Sequence, residues 1–424
     1  MSNKNKQPEL KVLGQGTYGC VVDKDLECGL PKQSKQSKQS KEGLISKIQG
    51  DNKTSKNEIE IGKKILHSNR FAPIYESCPL TSGKIQQDIL KECDKLDKTT
   101  ETMIISKVRY VGKDTLDTFL HNIITSTSRD KTKKYLQQVL NKHLFLLESL
   151  VILNKEKVLH LDIKSNNIMI DKKTHPIMID FGISYDGEKL QLEEYKKTRE
   201  PFGIVIDYYL PWCFEIILLT HISRYLIGKK DGKTIMIDPA KEHVVITPDE
   251  IAKMKKDILG KFMKKNTLLQ MSIFTEEEKK DYLSRLQQWI NSFEGKTWTY
   301  IWNKIVSTKD TWDNYALTTV IISELDISGI KQLSSRQTKG FLYEYIQVIK
   351  GILLGKTSVP GDTLLKIKDI FKTVAKTEYN KLIVELGSIF KDGKIVSTMA
   401  AKRNAINDKT LHEKDMLLNM TKMV

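Results

Sequence analysis

The chain has little cysteine and no long uninterrupted apolar run. Its five cysteines, Cys20, Cys28, Cys78, Cys93 and Cys213, match neither zinc spacing nor a disulfide framework, which predicts a reducing compartment. The N-terminal stretch MSNKNKQPEL is too polar for a secretory leader. The most apolar window, 204–222, is broken by Asp207, Pro211 and Glu215. A charge at a bilayer centre costs roughly 2.5–3.5 kcal/mol on insertion scales, so no membrane span is expected. No repeat of solenoid length is present. Acidic residues are in deficit: 69 Lys and Arg stand against 53 Asp and Glu, for a net charge of +16. That balance favours anionic partners. The lysines are spread along the chain with Asp and Glu among them, so they read as solvated surface, and nucleic acid is the weaker reading of the charge. With 424 residues, 39% hydrophobic and 29% charged, the chain has room for one large core or two smaller ones.

Against that background one stretch stands out, VLHLDIKSNNIMIDKKTHPIMIDFGI, from Val158 to Ile183. Asn167–Ile170 and Pro176–Ile179 suit strands, and DKKTH between them suits a turn. A hairpin would bring His160, Asp162, Lys164 and Asn167 toward Asp180. A carboxylate can accept a hydroxyl proton. An amide oxygen and a second carboxylate suit magnesium, which takes oxygen ligands and usually completes its shell with water and phosphate. These are parts of a phosphoryl-transfer site.

Upstream, Leu10–Val22 reads LKVLGQGTYGCVV, a G-x-G-x-x-G pattern followed by Val21 and Val22. β-Branched residues after the glycines predict a second strand, and so a glycine-rich hairpin, where a Rossmann site would need a helix. Alone, the pattern also fits a plain glycine turn. Residues 24–43 contain KQSKQSKQSK and read as a solvated spacer, with Ser34, Ser37 and Ser40 as available phosphoacceptors. LISKI, 44–48, resumes strand character around Lys47. Residues 52–67 pattern as a helix in which Glu58, at the inner edge of the apolar stripe, is the preferred ion-pair partner for Lys47 and Glu60 the rival. FAPIYESCP (71–79) and MIISKVRYV (103–111) read as strands around a charged excursion, 82–101, with Lys107–Arg109 expected to join two lobes. Residues 115–120 begin a helical region. Residues 133–153 read as a long amphipathic helix, and the polar stretch 184–200 as a substrate-facing loop.

Taken together and in this order, GQGTYGCV, the lysine of LISK, Glu58, HLDIKSNN and DFG resemble the eukaryotic-type protein kinase superfamily over roughly residues 10–370. The resemblance implies an α+β, two-lobed protein-kinase-like fold: a small β-rich lobe, a large helical lobe, and ATP between them. It implies a tail at 1–9, an N-lobe at 10–111, a C-lobe at 112–398 and a second tail at 399–424. By the same resemblance Leu13, Gly14, Gln15, Gly16, Thr17, Tyr18, Gly19, Cys20 and Val21 cover the nucleotide. Lys47, held by Glu58, contacts the α- and β-phosphates. Asp162 deprotonates the acceptor, Lys164 contacts the γ-phosphate, and Asn167 and Asp180 bind Mg²⁺. Lys164, two residues after Asp162, resembles the serine/threonine branch, which implies protein substrates with Ser or Thr acceptors.

The chain departs from the family pattern in four places. Leu161 stands where many members have the Arg that docks a phosphorylated loop, which predicts activity independent of such phosphorylation. WCFEIILL resembles the A-P-E element, with Glu215 in the Glu position. Asp313, in TWDNYALTTVIISEL, looks like the start of the central C-lobe helix, which implies an insertion at about 221–308; Asp207 is the alternative start. Gly361 falls about where the Arg partner of Glu215 is expected. Such departures resemble the divergent kinases of large DNA viruses, which would place the protein in host cytoplasm or virion. The resemblance leaves two rival functions: a pseudokinase scaffold that binds a partner through the insertion, and a small-molecule kinase.

Overall fold

The computed structural model describes residues 11–16, 19–23, 26, 43–80, 93, 102–125, 131–197, 208–230, 233–235, 237–271, 273–327 and 341–373. The repeat with Ser34, Ser37 and Ser40, the loop residues Thr17 and Tyr18, Asp207 and the tail at 399–424 lie outside them. Contacts divide the chain into two units, Met1–Lys113 with Asn167–Ser184, and Asp114–Asn166 with Tyr185–Val424.

The first unit is built on a five-stranded antiparallel sheet. Its strands are β1 (Val12–Gly16), β2 (Gly19–Val22), β3 (Leu44–Gly50), β4 (Ile74–Pro79) and β5 (Met103–Arg109), in the order β1-β2-β3-β5-β4. Alternation along the strands puts Cys20, Val22, Ile48 and Met103 into one buried cluster, with Val12 and Leu80 against it. Helix α1 (Lys53–Ile65) starts at Asn52, whose side chain accepts the Ser55 N–H while Ser55 Oγ takes the Asn52 N–H. This reciprocal cap fixes the first turn of the helix. Ile61 and Ile65 form its buried face.

The second unit is mainly helical. Helix α2 (Leu116–Thr125) leads to the 25-residue α3 (Lys131–Lys155). Strand β6 (Val158–Leu159) follows, and the chain passes through the first unit as the hairpin β7 (Ile168–Ile170) and β8 (Pro176–Met178). Strand β9 (Tyr185–Asp186) then pairs with β6. Helices α4 (Leu192–Lys197) and α5 (Phe214–Leu226) come next, then a hairpin of β10 (Gly228–Lys230) and β11 (Lys233–Ile235). Short α6 (Pro239–Glu242) precedes a helical run made of α7 (Pro248–Lys253), a π-helical stretch (Met254–Leu259) and α8 (Gly260–Lys265). The remaining helices among the described residues are α9 (Glu276–Asn291), α10 (Trp298–Val306), α11 (Trp312–Ile327), α12 (Phe341–Leu353) and α13 (Pro360–Thr373). Among the described residues no helix is long and apolar enough to cross a membrane.

Three expectations change. Cysteine spacing gave no hint of a disulfide, yet Cys20 on β2 is bonded to Cys93, 73 residues on, and Cys78 is also disulfide-bonded. Sequence spacing reports only local partners, and these cysteines meet through the sheet. Lys107–Arg109 is not a lobe connection: all three residues pair within β5, and Lys107 is buried with its ammonium donating to the Leu26 carbonyl. The boundary between the units falls instead at Lys113 and Asp114. The stretch 184–197 is not an open loop. Tyr195 is fully buried, its ring 4.2 Å from that of Trp302, and Lys196 pairs with Glu242 at 2.5 Å.

Helices α3 and α12 share a buried polar contact, His143 Nδ1 at 2.7 Å from the Tyr345 hydroxyl. Burial lowers the His143 pKa from 6.5 to about 3. The ring stays neutral in the fold while the unfolded chain takes up a proton, so its stabilising contribution is complete above pH 6.5 and is lost as pH falls toward 3. Urea midpoints measured across that interval should fall more steeply for the wild type than for His143→Gln. Parallel profiles would refute the assignment.

Candidate active site

The opening hairpin supplies the first part of the site. Gln15 pairs with Cys20 and Gly16 with Gly19 across β1 and β2. A Cβ at Gly19 would lie 2.2 Å from the Ile48 carbonyl oxygen, so packing onto β3 requires glycine. A Cβ at Gly14 would meet nothing within 4 Å, so the chain itself does not require glycine there. Leu13 is 41% exposed, Val21 pairs with Lys47 across β2 and β3, and Cys20 is locked in its disulfide.

Lys47 Nζ lies 2.7 Å from both Glu58 Oε1 and Oε2. The strand and the capped helix hold the two ends of this pair, and both side chains are largely buried. The rival Glu60 is spent on an exposed contact with Lys63. The Lys47 ammonium also lies 3.6 Å from Asp180 Oδ1. Asp180 follows β8, and the pairing of β7 with β8 continues as the Ile179 N–H donating to the Asn167 carbonyl at 3.0 Å. The hairpin thus brings Asn167 and Asp180 to neighbouring positions. The turn that closes it is made by Asp171, whose Oδ1 accepts the N–H groups of Lys173 and His175. Asp180 has φ 63°, a left-handed conformation that aspartate adopts at local cost. Phe181 packs edge-on against Phe71, and Asn57 Nδ2 donates to the Ser184 carbonyl at 2.7 Å. These contacts anchor the D-F-G stretch to Phe71, just before β4, and to α1.

Asn167 and Asp180 offer an amide oxygen and a carboxylate, hard donors of the type Mg²⁺ takes. Among the described residues no cluster of three His, Cys, Asp or Glu could hold a metal unaided.

In the second unit, Asp162 is fully buried, and Lys164 Nζ lies 3.1 Å from its Oδ1. The backbone before Asp162 is held by side chains. Asp313 Oδ2 accepts the His160 N–H at 2.6 Å and Asp313 Oδ1 the Leu161 N–H at 2.9 Å. Asp313 sits in the first turn of α11, while Asp207 lies outside the described residues. Burial raises the Asp313 pKa, opposed by His160 and these backbone donors. Leu161, where an Arg was missed, has φ 61° and a buried side chain, and its carbonyl accepts the Trp212 indole N–H at 2.8 Å. Glu215, in the first turn of α5, has no ion pair among the described residues; burial raises its carboxyl pKa. A Cβ at Gly361 would touch only Val151.

Sequence reasoning overlooked Tyr209 and Trp212. Tyr209 is fully buried and its hydroxyl donates to Asp162 Oδ1. The aromatic density of DYYLPW was the available signal, but it reads equally well as core.

Residues 8–200 match the family model described as protein kinase domain. The chain is 26% identical over 193 residues to the dual specificity protein kinase zakA of Dictyostelium discoideum, covering 46% of this chain and 21% of that protein. It is 27% identical over 193 residues to the serine/threonine-protein kinase stk11 homolog of the same organism, covering 46% and 28%. Against the G-type lectin S-receptor-like serine/threonine-protein kinase At1g61490 of Arabidopsis thaliana it is 26% identical over 248 residues, 53% and 26% of the two chains. The chain thus spans less than a third of each of these relatives, and the viral affinity expected above finds no support among them.

Asp313→Ala would leave two buried N–H donors unpaired, at about 1–3 kcal/mol each. Chemical denaturation should show that loss, and an unchanged midpoint would refute the role given to Asp313. Residues 8–200 are thus similar to protein kinase domains, and the relatives matched are serine/threonine and dual-specificity kinases at 26–27% identity.

Proposed function

We propose that the protein is an active protein kinase that transfers the γ-phosphate of ATP to serine or threonine hydroxyls of protein substrates. The observation that carries this reading is the Lys47 ammonium, gripped by both Glu58 oxygens and 3.6 Å from Asp180. A buried lysine arranged in this way is a fixed cation for nucleotide phosphates. The open space at Gly14 supports the same reading, because a bare backbone lets phosphate approach N–H groups closely.

In the proposed reaction the acceptor oxygen forms a bond to Pγ, the bond from Pγ to the β–γ bridging oxygen breaks, ADP leaves, and the acceptor proton passes to the Asp162 carboxylate. Lys164, beside Asp162, meets the charge on the transferring group. Asn167 and Asp180 would hold Mg²⁺, which when bound neutralises charge on the β- and γ-phosphates. The protein's own contribution is mostly to position the reactants. Lys164 favours Ser and Thr acceptors by resemblance, while one relative is named as dual specificity, so tyrosine acceptors belong in the assay.

The test is transfer of labelled phosphate from ATP to basic and acidic proteins and to small alcohols. Asp162→Asn should lower turnover about 10²–10⁴-fold with nucleotide affinity retained. Lys47→Met should lower turnover in a protein that melts like the wild type. Wild-type turnover equal to that of Asp162→Asn would sink the reading, and ATP binding without transfer would favour a scaffold.

Leu161 generates a separate expectation. With no Arg at this position to receive a phosphate, treatment with a phosphatase should leave turnover unchanged. Loss of activity on dephosphorylation, restored by an acidic substitution in 184–207, would contradict it.

A further inference from the structure

The run Tyr208-Tyr209-Leu210-Pro211-Trp212 lies beyond residue 200, where the family match ends. Its side chains connect the residues around Asp162 to the helices that follow. Tyr209 donates its hydroxyl to Asp162 Oδ1, the oxygen that Lys164 Nζ also approaches at 3.1 Å. The Trp212 ring packs edge-on against that of Tyr209, with centroids 5.4 Å apart, while its indole N–H binds the Leu161 carbonyl. Tyr208 turns toward α8: its ring lies 5.9 Å from that of Phe262. Its hydroxyl stands 3.5 Å from Asn266 Oδ1 and 3.4 Å from Thr267 Oγ1. Those polar contacts are long, so ring packing carries most of the anchoring. Phe262 is fully buried and packs in turn on Phe214, at 5.2 Å.

A phenylalanine at 209 would fill nearly the same space with no polar atom to satisfy, so the hydroxyl on Asp162 calls for its own explanation. Rotation of a carboxylate about its Cβ–Cγ bond is only weakly restricted. Two donors on Oδ1 set the plane of the group, and with it the direction of Oδ2. A base held in one orientation is a requirement for efficient proton transfer.

We propose that Tyr209 is a positioning residue for the Asp162 carboxylate, anchored through Tyr208 by the α8 segment, which lies beyond the family match. The proposal rests on the kinase reading above, because it assigns Asp162 the proton. On this view the segment 221–308 does not merely decorate the fold; it braces the base.

The experiment is steady-state kinetics on the full chain with Tyr209→Phe and Tyr208→Ala, alongside ATP binding by calorimetry and thermal melting. Tyr209→Phe should lower kcat about 10–100-fold, with KM for both substrates, ATP affinity and melting temperature close to wild type. Tyr208→Ala should lower kcat in the same direction; if it fails to fold, Tyr209→Phe decides alone. A kcat for Tyr209→Phe equal to wild type overturns the proposal. A higher kcat also overturns it, since the phenol would then be obstructing the base. A fall in kcat matched by a rise in KM and a lower melting temperature overturns it in favour of a structural role. A wild type no faster than Asp162→Asn overturns the kinase reading itself, and that outcome is visible before any Tyr209 variant is made.

Discussion

The Asp313 carboxylate, buried at the start of α11, accepts the backbone N–H groups of His160 and Leu161. Those peptides belong to no ladder long enough to satisfy them, since β6 ends at Leu159. Without a side-chain acceptor, two buried donors would stand unpaired, and the chain would have no reason to hold Leu161 at φ 61°. The bend at Leu161 sets where Asp162 falls. Trp212 completes the arrangement by taking the Leu161 carbonyl. Three polar groups of two adjacent residues are thus fixed by side chains from distant parts of the sequence. The leucine side chain at 161 lies in the core, and side chains hold its backbone on both sides.

The first unit solves a different problem, how to aim a largely buried lysine side chain. It does so through register. Pairing of β2, β3 and β5 places Lys47 between Val21 and Ser106, and the capped α1 brings Glu58 to its ammonium. A shift of one residue in β3 would turn Lys47 to the other face of the sheet and lose the contact. The disulfide at Cys20 ties β2 to Cys93, which lies outside the sheet, so the glycine-rich hairpin is braced by a covalent bond. Both the hairpin β7–β8 and the D-F-G stretch pack within this unit, which keeps Asn167 and Asp180 in one framework with Lys47.

Beyond residue 200 the chain leaves the family match, and packing of large aromatic side chains takes over. Tyr195 with Trp302, Tyr208 with Phe262 and Phe214 with Phe262 and Trp289 tie the segment after D-F-G to the helices at 248–306. Among the described residues Glu215 has no ion pair, and burial raises its carboxyl pKa against the opposing bond with the neighbouring Cys213 thiol.

Much of this molecule follows from local sequence. Strand and helix periods, the glycine hairpin, the DKKTH turn and the ordered motifs through Asp180 are short-range features, so residues a few positions apart carry them. The preference for Glu58 over Glu60 was also legible, because helical spacing alone separates an inner from an outer face. Contacts between distant segments were not legible. The Cys20–Cys93 disulfide, the burial of Lys107 in β5, the folding of 184–197 onto α10 and the hydroxyl of Tyr209 on Asp162 each join segments that sequence spacing does not relate. The sequence by itself determined which chemical groups the protein possesses and the order in which they occur. Tertiary structure alone decided which groups hold Asp162 in place, because hydrogen bonds and ring packing depend on distance in space, and that distance is set only when the whole core closes.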